Sequence, residues 1–234
     1  MESLTQVSQD YHKNANVIRS KALDCLVKCT REVQVSLDEL ERMGITFQAA
    51  SYRVAVFDID TYSEMYQMDM ESALMAFVLF NVGDEIVVQE KAGVVYQEGN
   101  NRVCIIFAGN RTKEFSENIH RICHEIQKKV KEVIGLETSI GIGSWVRSPY
   151  ELIYSYRLAA KAIDYRYLLG GNLLFDMEEK KTDNSIFLIN DLETLTEAIK
   201  SGDRRLMEET LGQIETEIKS ALVEKSYACI YLQQ

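Results

Sequence analysis

Proline is almost missing from this chain, with Pro149 the only one in 234 residues. No Gly/Ser-rich stretch, low-complexity tract or internal repeat occurs, so composition marks no linker and boundaries must come from periodicity. Long apolar runs are wanting as well. The longest, Ala73 to Phe80, falls far short of the roughly 20 residues that span a bilayer as a helix. Positive charge is in deficit: 26 Lys and Arg face 36 Asp and Glu, for a net charge of -10. Phosphate backbones and anionic lipid repel such a chain, which argues against a direct nucleic-acid surface and against a membrane partner. The opening MESLTQVSQDYHKN has neither the basic flank nor the apolar stretch of a signal peptide. A cytoplasmic location is expected, with the five cysteines reduced. No GxSxG, Ser/His/Asp order, P-loop or CxxC pair is found.

What is present is the composition of a globular protein, 46% hydrophobic and 26% charged. The length suits one large domain or a medium one with appendages. Leu4, Tyr11, Ile18 and Cys25 recur every seven residues, with Ser8, Ala15, Ala22 and Cys29 four further on. That stripe predicts a long N-terminal helix, suited equally to packing on its own domain or pairing with a second chain. The string SLDE from Ser36 has the form of a capping box and predicts a helix start there, with a stop at Gly44.

From Tyr52 to Asp176 strands alternate with helices. YRVAVFDI reads as a strand, Glu71 to Lys91 as a helix, and GVVYQ and RVCIIFA as a hairpin about the turn EGNN. A helix over Phe115 to Ile134 would bury Phe115, Ile119, Ile122, Ile126, Val130 and Val133. LETSIGIG is the fourth strand. Ser148, Pro149 and Glu151 cap a closing helix that ends before Gly170, and NLLF completes the sheet. The expected fold is an α+β sandwich, a central mainly antiparallel sheet with helices. Helical connectors over 1–51 and 177–234 would flank a domain over 52–176. In the second connector, NDLETLTEAIKSGD stops at Gly202, and Leu206, Leu211, Ile214, Ile218, Leu222 and Val223 follow at helical spacing. The uncapped end at Gln234 suggests a piece of a longer protein.

Side chains with chemistry are few. His120, Cys123 and His124 have the i, i+3, i+4 spacing of soft-metal ligands, but no fourth ligand is signalled and no metal is expected. Cys25 and Cys29, on one helix face, are read as packing residues. Tyr150, Tyr154, Tyr156, Tyr165 and Tyr167 gather on the closing helix, where aromatic rings cover a sheet and keep their hydroxyls at its wet edge. Asp58 and Asp60, two apart on a strand, are not read as an acid/base couple.

The strand order and four strings, FDID at 57–60, VGDEIV at 82–87, SIGIG at 139–143 and AAKAIDYRYLLGGN at 159–172, resemble the GGDEF domain of diguanylate cyclases. On that frame the GGDEF box falls at the hairpin turn and reads Gly99, Asn100, Asn101, Arg102, Val103. In the family, carboxylates of this box and the first aspartate of the DxD strand hold divalent metals. Here Asp58 remains, while Asn101 and Arg102 replace the acidic pair. The resemblance further places Ser63 at a phosphate-contacting lysine, Tyr66 at a guanine-reading asparagine and EKAG, 90–93, at the product-inhibition motif. None of these is kept. Asp84 matches the aspartate that reads guanine. The resemblance therefore implies a chain that is not an enzyme and needs no cofactor, with Asp58 and Asp84 as candidate ligand-binding residues. Alternatively, GDE simply interrupts an apolar helix at a solvated turn.

LDELERMGITF at 37–47, LIYSYRLAAKAIDYRYLLGGN at 152–172 and LTEAIKSGD resemble, more closely, the middle region of AraC-type, YesN-like response regulators. That likeness implies a non-catalytic relay and dimerisation region, whose partners would be a second copy through the flanking helices and the receiver and helix-turn-helix domains of a parent protein. The alternative is a degenerate receptor for a guanine nucleotide or another small ligand.

Overall fold

The computed structural model describes residues 16–60, 72–99, 102–166, 170–178 and 189–221. Contacts divide the chain into two compact units, one of Met1–Ile163 with Gly171–Glu178, the other of Asp164–Gly170 with Glu179–Gln234.

The first unit is built on a five-stranded sheet. Its strands are β1 (Ser51–Ile59), β2 (Gly93–Glu98), β3 (Arg102–Gly109), β4 (Thr138–Ile142) and β5 (Leu174–Asp176), in the order β2-β3-β1-β4-β5. All pairings are antiparallel except that of β4 with β5. Because side chains alternate along a strand, β1 supplies two cores. Ala55, Phe57 and Ile59 meet α3 (Ser72–Gln89) and α4 (Lys113–Ile134) on one face. Tyr52, Val54 and Val56 meet α1 (residues 16–28), α2 (Val33–Arg42) and α5 (Leu152–Asp164) on the other. The described part of 1–51 thus supplies helices to the same core as the sheet.

Local contacts set the ends and seams of the elements. Thr112 Oγ1 accepts from the Phe115 amide at 3.1 Å to start α4, and Gly135, at φ 70°, ends it. Ser148 and Glu151 form the capping box of a short 3-10 turn that runs into α5. In SIGIG, a side chain on Gly141 or Gly143 would collide with the carbonyls of Ala159 and Ser155, so the two glycines let α5 lie directly on β4. Ser155 completes the seam: its hydroxyl accepts from Val54 N at 2.9 Å and donates to Ser144 O at 2.7 Å.

Other expectations need correction. The second helix starts at Val33, not at Ser36, whose buried hydroxyl accepts from Arg31 Nε at 2.8 Å inside the helix. Its stop at Met43 and Gly44, φ 80°, is where the glycine puts it. Gly83, Asp84 and Glu85 do not interrupt α3, which passes through them unbroken. In α4 the inward residue of the last turn is Ile134, and Val133 is 63% exposed. Of the seven-residue stripe, Leu4, Tyr11, Ser8 and Ala15 lie outside the described residues. Ile18 is exposed, Cys25 half-buried and Cys29 beyond the helix end, while Ala22, Leu23, Leu26 and Val27 form the buried face of α1.

In the second unit α6 (Ile189–Ser201) and α7 (Arg204–Ala221) are joined at Gly202, φ 71°. Asp203 Oδ1 accepts from Leu206 N at 3.1 Å and caps α7. Ala198, Thr210 and Ile214 are buried, whereas Leu206 and Leu211 are exposed; Leu222 and Val223 lie outside the described residues.

Candidate functional site

Strand register brings three charged residues of the hairpin end into one row. Asp58 of β1 pairs with Arg102 of β3, and Arg102 with Glu98 of β2. Arg102 Nε donates to Asp58 Oδ2 at 2.8 Å, and the Asp58 side chain is 1% exposed. Burial would lower the Arg102 pKa, but the hydrogen bond and charge of Asp58, with the charge of Glu98, raise it. Of the degenerate box, Gly99 takes the turn at φ 63°, Val103 enters the core, and Asn100 and Asn101 lie outside the described residues.

Glu98 is the busiest residue of the row. Its Oε1 accepts from Tyr156 Oη of α5 at 2.5 Å and pairs with Lys28 Nζ of α1 at 2.7 Å; its Oε2 accepts from Cys104 Sγ at 3.2 Å. Burial pushes the Glu98 carboxyl up, yet the donors Lys28, Tyr156 and Cys104 outweigh it and hold the group below its ordinary range. Burial would lower Lys28, but Asp24 and then Glu98 raise it, and burial together with Glu98 raises Tyr156.

Asp84 has a separate cation. Arg19 Nη2 donates to Asp84 Oδ1 at 2.7 Å and to the Val95 carbonyl at 3.0 Å, tying α1 to α3 and β2 together. Asp58 and Asp84 are therefore engaged by different guanidinium groups. A divalent cation does not fit the row as it stands, because Arg102 donates to Asp58 Oδ2 and its guanidinium charge beside that carboxylate repels a second cation.

Asp60, just past β1, accepts from Asn172 N at 2.6 Å. His120 Nε2 lies 2.7 Å from Asp176 Oδ2, Cys123 is buried, and His124 Nδ1 is 3.4 Å from Gln127 Oε1. Among the described residues no three His, Cys, Asp or Glu side chains gather as a metal would require. Tyr150 and Tyr154 are exposed, Tyr165 is buried, and Tyr167 lies outside the described residues. Sequence reasoning missed Lys28, Glu98 and Arg19, and it missed Arg53, a fully buried cation. Arg53 pairs with Asp176 and donates from Nε to Gly143 O at 2.6 Å. Burial raises the Asp176 pKa, but His120 and Arg53 more than offset this and lower it. A cavity of about 450 Å³ lined by Ser51, Arg111, Trp145, Arg147, Glu151 and Tyr154 includes neither Asp58 nor Asp84.

Sheet order, helices on both faces and the hairpin row together define a nucleotide-cyclase-like α+β domain. The chain belongs to the GGDEF-like domain family, whose profile matches residues 33–165. It is similar to the active GGEEF domain of a diguanylate cyclase from Vibrio cholerae, with TM-score 0.44 and 11% identity, covering 59% of this chain and 87% of that one. It is also similar to the diguanylate cyclase SiaD of Pseudomonas aeruginosa, solved in complex with its activator SiaC, with TM-score 0.45 and 12% identity, covering 75% of this chain and 71% of that one. No curated protein matches the chain.

Proposed function

We propose that this GGDEF-like domain is not an enzyme and relays a signal between the helices on either side of it, as the middle region of an AraC-type, YesN-like response regulator working as a homodimer. The observation that carries the non-catalytic part is the Arg102–Asp58 pair at 2.8 Å, a resident cation where the resemblance puts metal ions. Arg19 on Asp84 adds to it: a guanidinium already donates to the carboxylate that would receive a guanine. Support for the regulator context comes from the sequence likeness at 37–47 and 152–172. The test is production of cyclic di-GMP from GTP with Mg²⁺ or Mn²⁺. No product is expected, and turnover abolished by Asp58→Ala would overturn the reading. Calorimetry with GTP and with cyclic di-GMP addresses the receptor alternative, and no binding heat is expected.

A further inference from the structure

We infer that Glu98 couples the helix that enters the domain to the helix that leaves it. This deepens the relay reading and rests on it for its biological meaning. Lys28 is in the last turn of α1, and Tyr156 is in α5, the helix that runs on to Asp164, where the second unit begins. The two residues are far apart in sequence and bond the same oxygen, Glu98 Oε1, at 2.7 and 2.5 Å. The Glu98 side chain is 12% exposed, so water is a poor substitute for either donor. Its other oxygen takes Cys104 Sγ, Arg102 stands in register beside it, and Asp24 holds Lys28 from within α1 at 2.8 Å. Each donor fixes the carboxylate where the other meets it, so movement of α1 that withdraws Lys28 frees Glu98 to leave Tyr156, and movement of Tyr156 has the reciprocal effect on Lys28. A direct route also exists, since Lys28 Nζ lies 5.5 Å from the Tyr156 ring centroid.

Amide hydrogen exchange on the full chain separates these routes. Tyr156→Phe keeps the ring and removes only the hydroxyl. It is expected to speed exchange in residues 23–28 of α1 by roughly fivefold, the weight of one net hydrogen bond. Lys28→Met should do the same for residues 154–158 of α5. Exchange in α4, which packs on the opposite face of the sheet, should stay unchanged. In a Glu98→Gln background neither substitution should alter the other helix further. Should that background exchange globally, Glu98→Asp replaces it, with the cross-effects expected to shrink. The inference is overturned if each substitution loosens only its own helix, if the cross-effects persist undiminished without Glu98, or if α4 loosens in parallel. Because no cyclase or transcription readout enters, cyclase activity would sink the proposed function and leave this coupling standing.

Discussion

Gly141 of β4 lies so close beneath Ala159 of α5 that a side chain would enter the Ala159 carbonyl. Gly141→Ala is expected to destabilise the first unit by about 1–3 kcal/mol, the usual range for overpacking. Gly212 is the control, since in α7 nothing lies within 4 Å of the position its Cβ would take. Gly212→Ala should be neutral or stabilising by up to about 1 kcal/mol through helix propensity. Urea unfolding of both variants checks the contrast.

Removing the resident cation should also cost stability. Arg102→Ala leaves Asp58, 1% exposed, without its guanidinium, and a loss of roughly 1–3 kcal/mol is expected. Unfolding midpoints measure it. The same protein should still make no cyclic di-GMP, because the box position at Asn101 supplies no charge.

Acid should weaken the fold through two carboxyls. Glu98 and Asp176 are both held below their ordinary range, so each binds a proton less readily folded than unfolded. Their contributions are complete above the unfolded-state values of about 4 and are lost as pH falls through the lower folded-state values. Stability should therefore drop below about pH 4, and Glu98→Gln should flatten part of that slope. Thermal melts over a pH series test the sign.

The two faces of α1 should respond differently. Leu26 is fully buried, and Leu26→Ala should cost about 2–5 kcal/mol. Ile18 is 51% exposed, so Ile18→Glu should leave the melting temperature nearly unchanged. Under the homodimer proposal the same Ile18→Glu lowers the mass seen by light scattering.

Local sequence chemistry made much of the fold legible. Short apolar runs bounded by turn residues located β1 and β3, and Ser148 with Glu151 and Thr112 act within three residues of their partners. The Ser36 reading failed because the chain is already helical at Val33, so the capping pattern fell inside a turn with Arg31 and Glu39 as its ion pair. The site was far less legible. Arg53 looks like an outward residue of a half-exposed strand until Asp176, 123 positions away, arrives to neutralise it. Glu98 looks like a turn residue, and its donors come 70 positions earlier, at Lys28, and 58 later, at Tyr156. Asp58 and Arg102 were individually visible, but their pairing needed the β1–β3 register.

β2 is one edge of the sheet, and edges normally offer bare backbone to other strands. Here Arg19 takes the outward carbonyl of Val95, and the Gln97 amide donates to Ser20 Oγ at 3.3 Å. A helix thus answers two of the hydrogen-bonding groups that a neighbouring molecule's strand would seek. A strand added along this border would have to displace α1 from Val95 and Gln97.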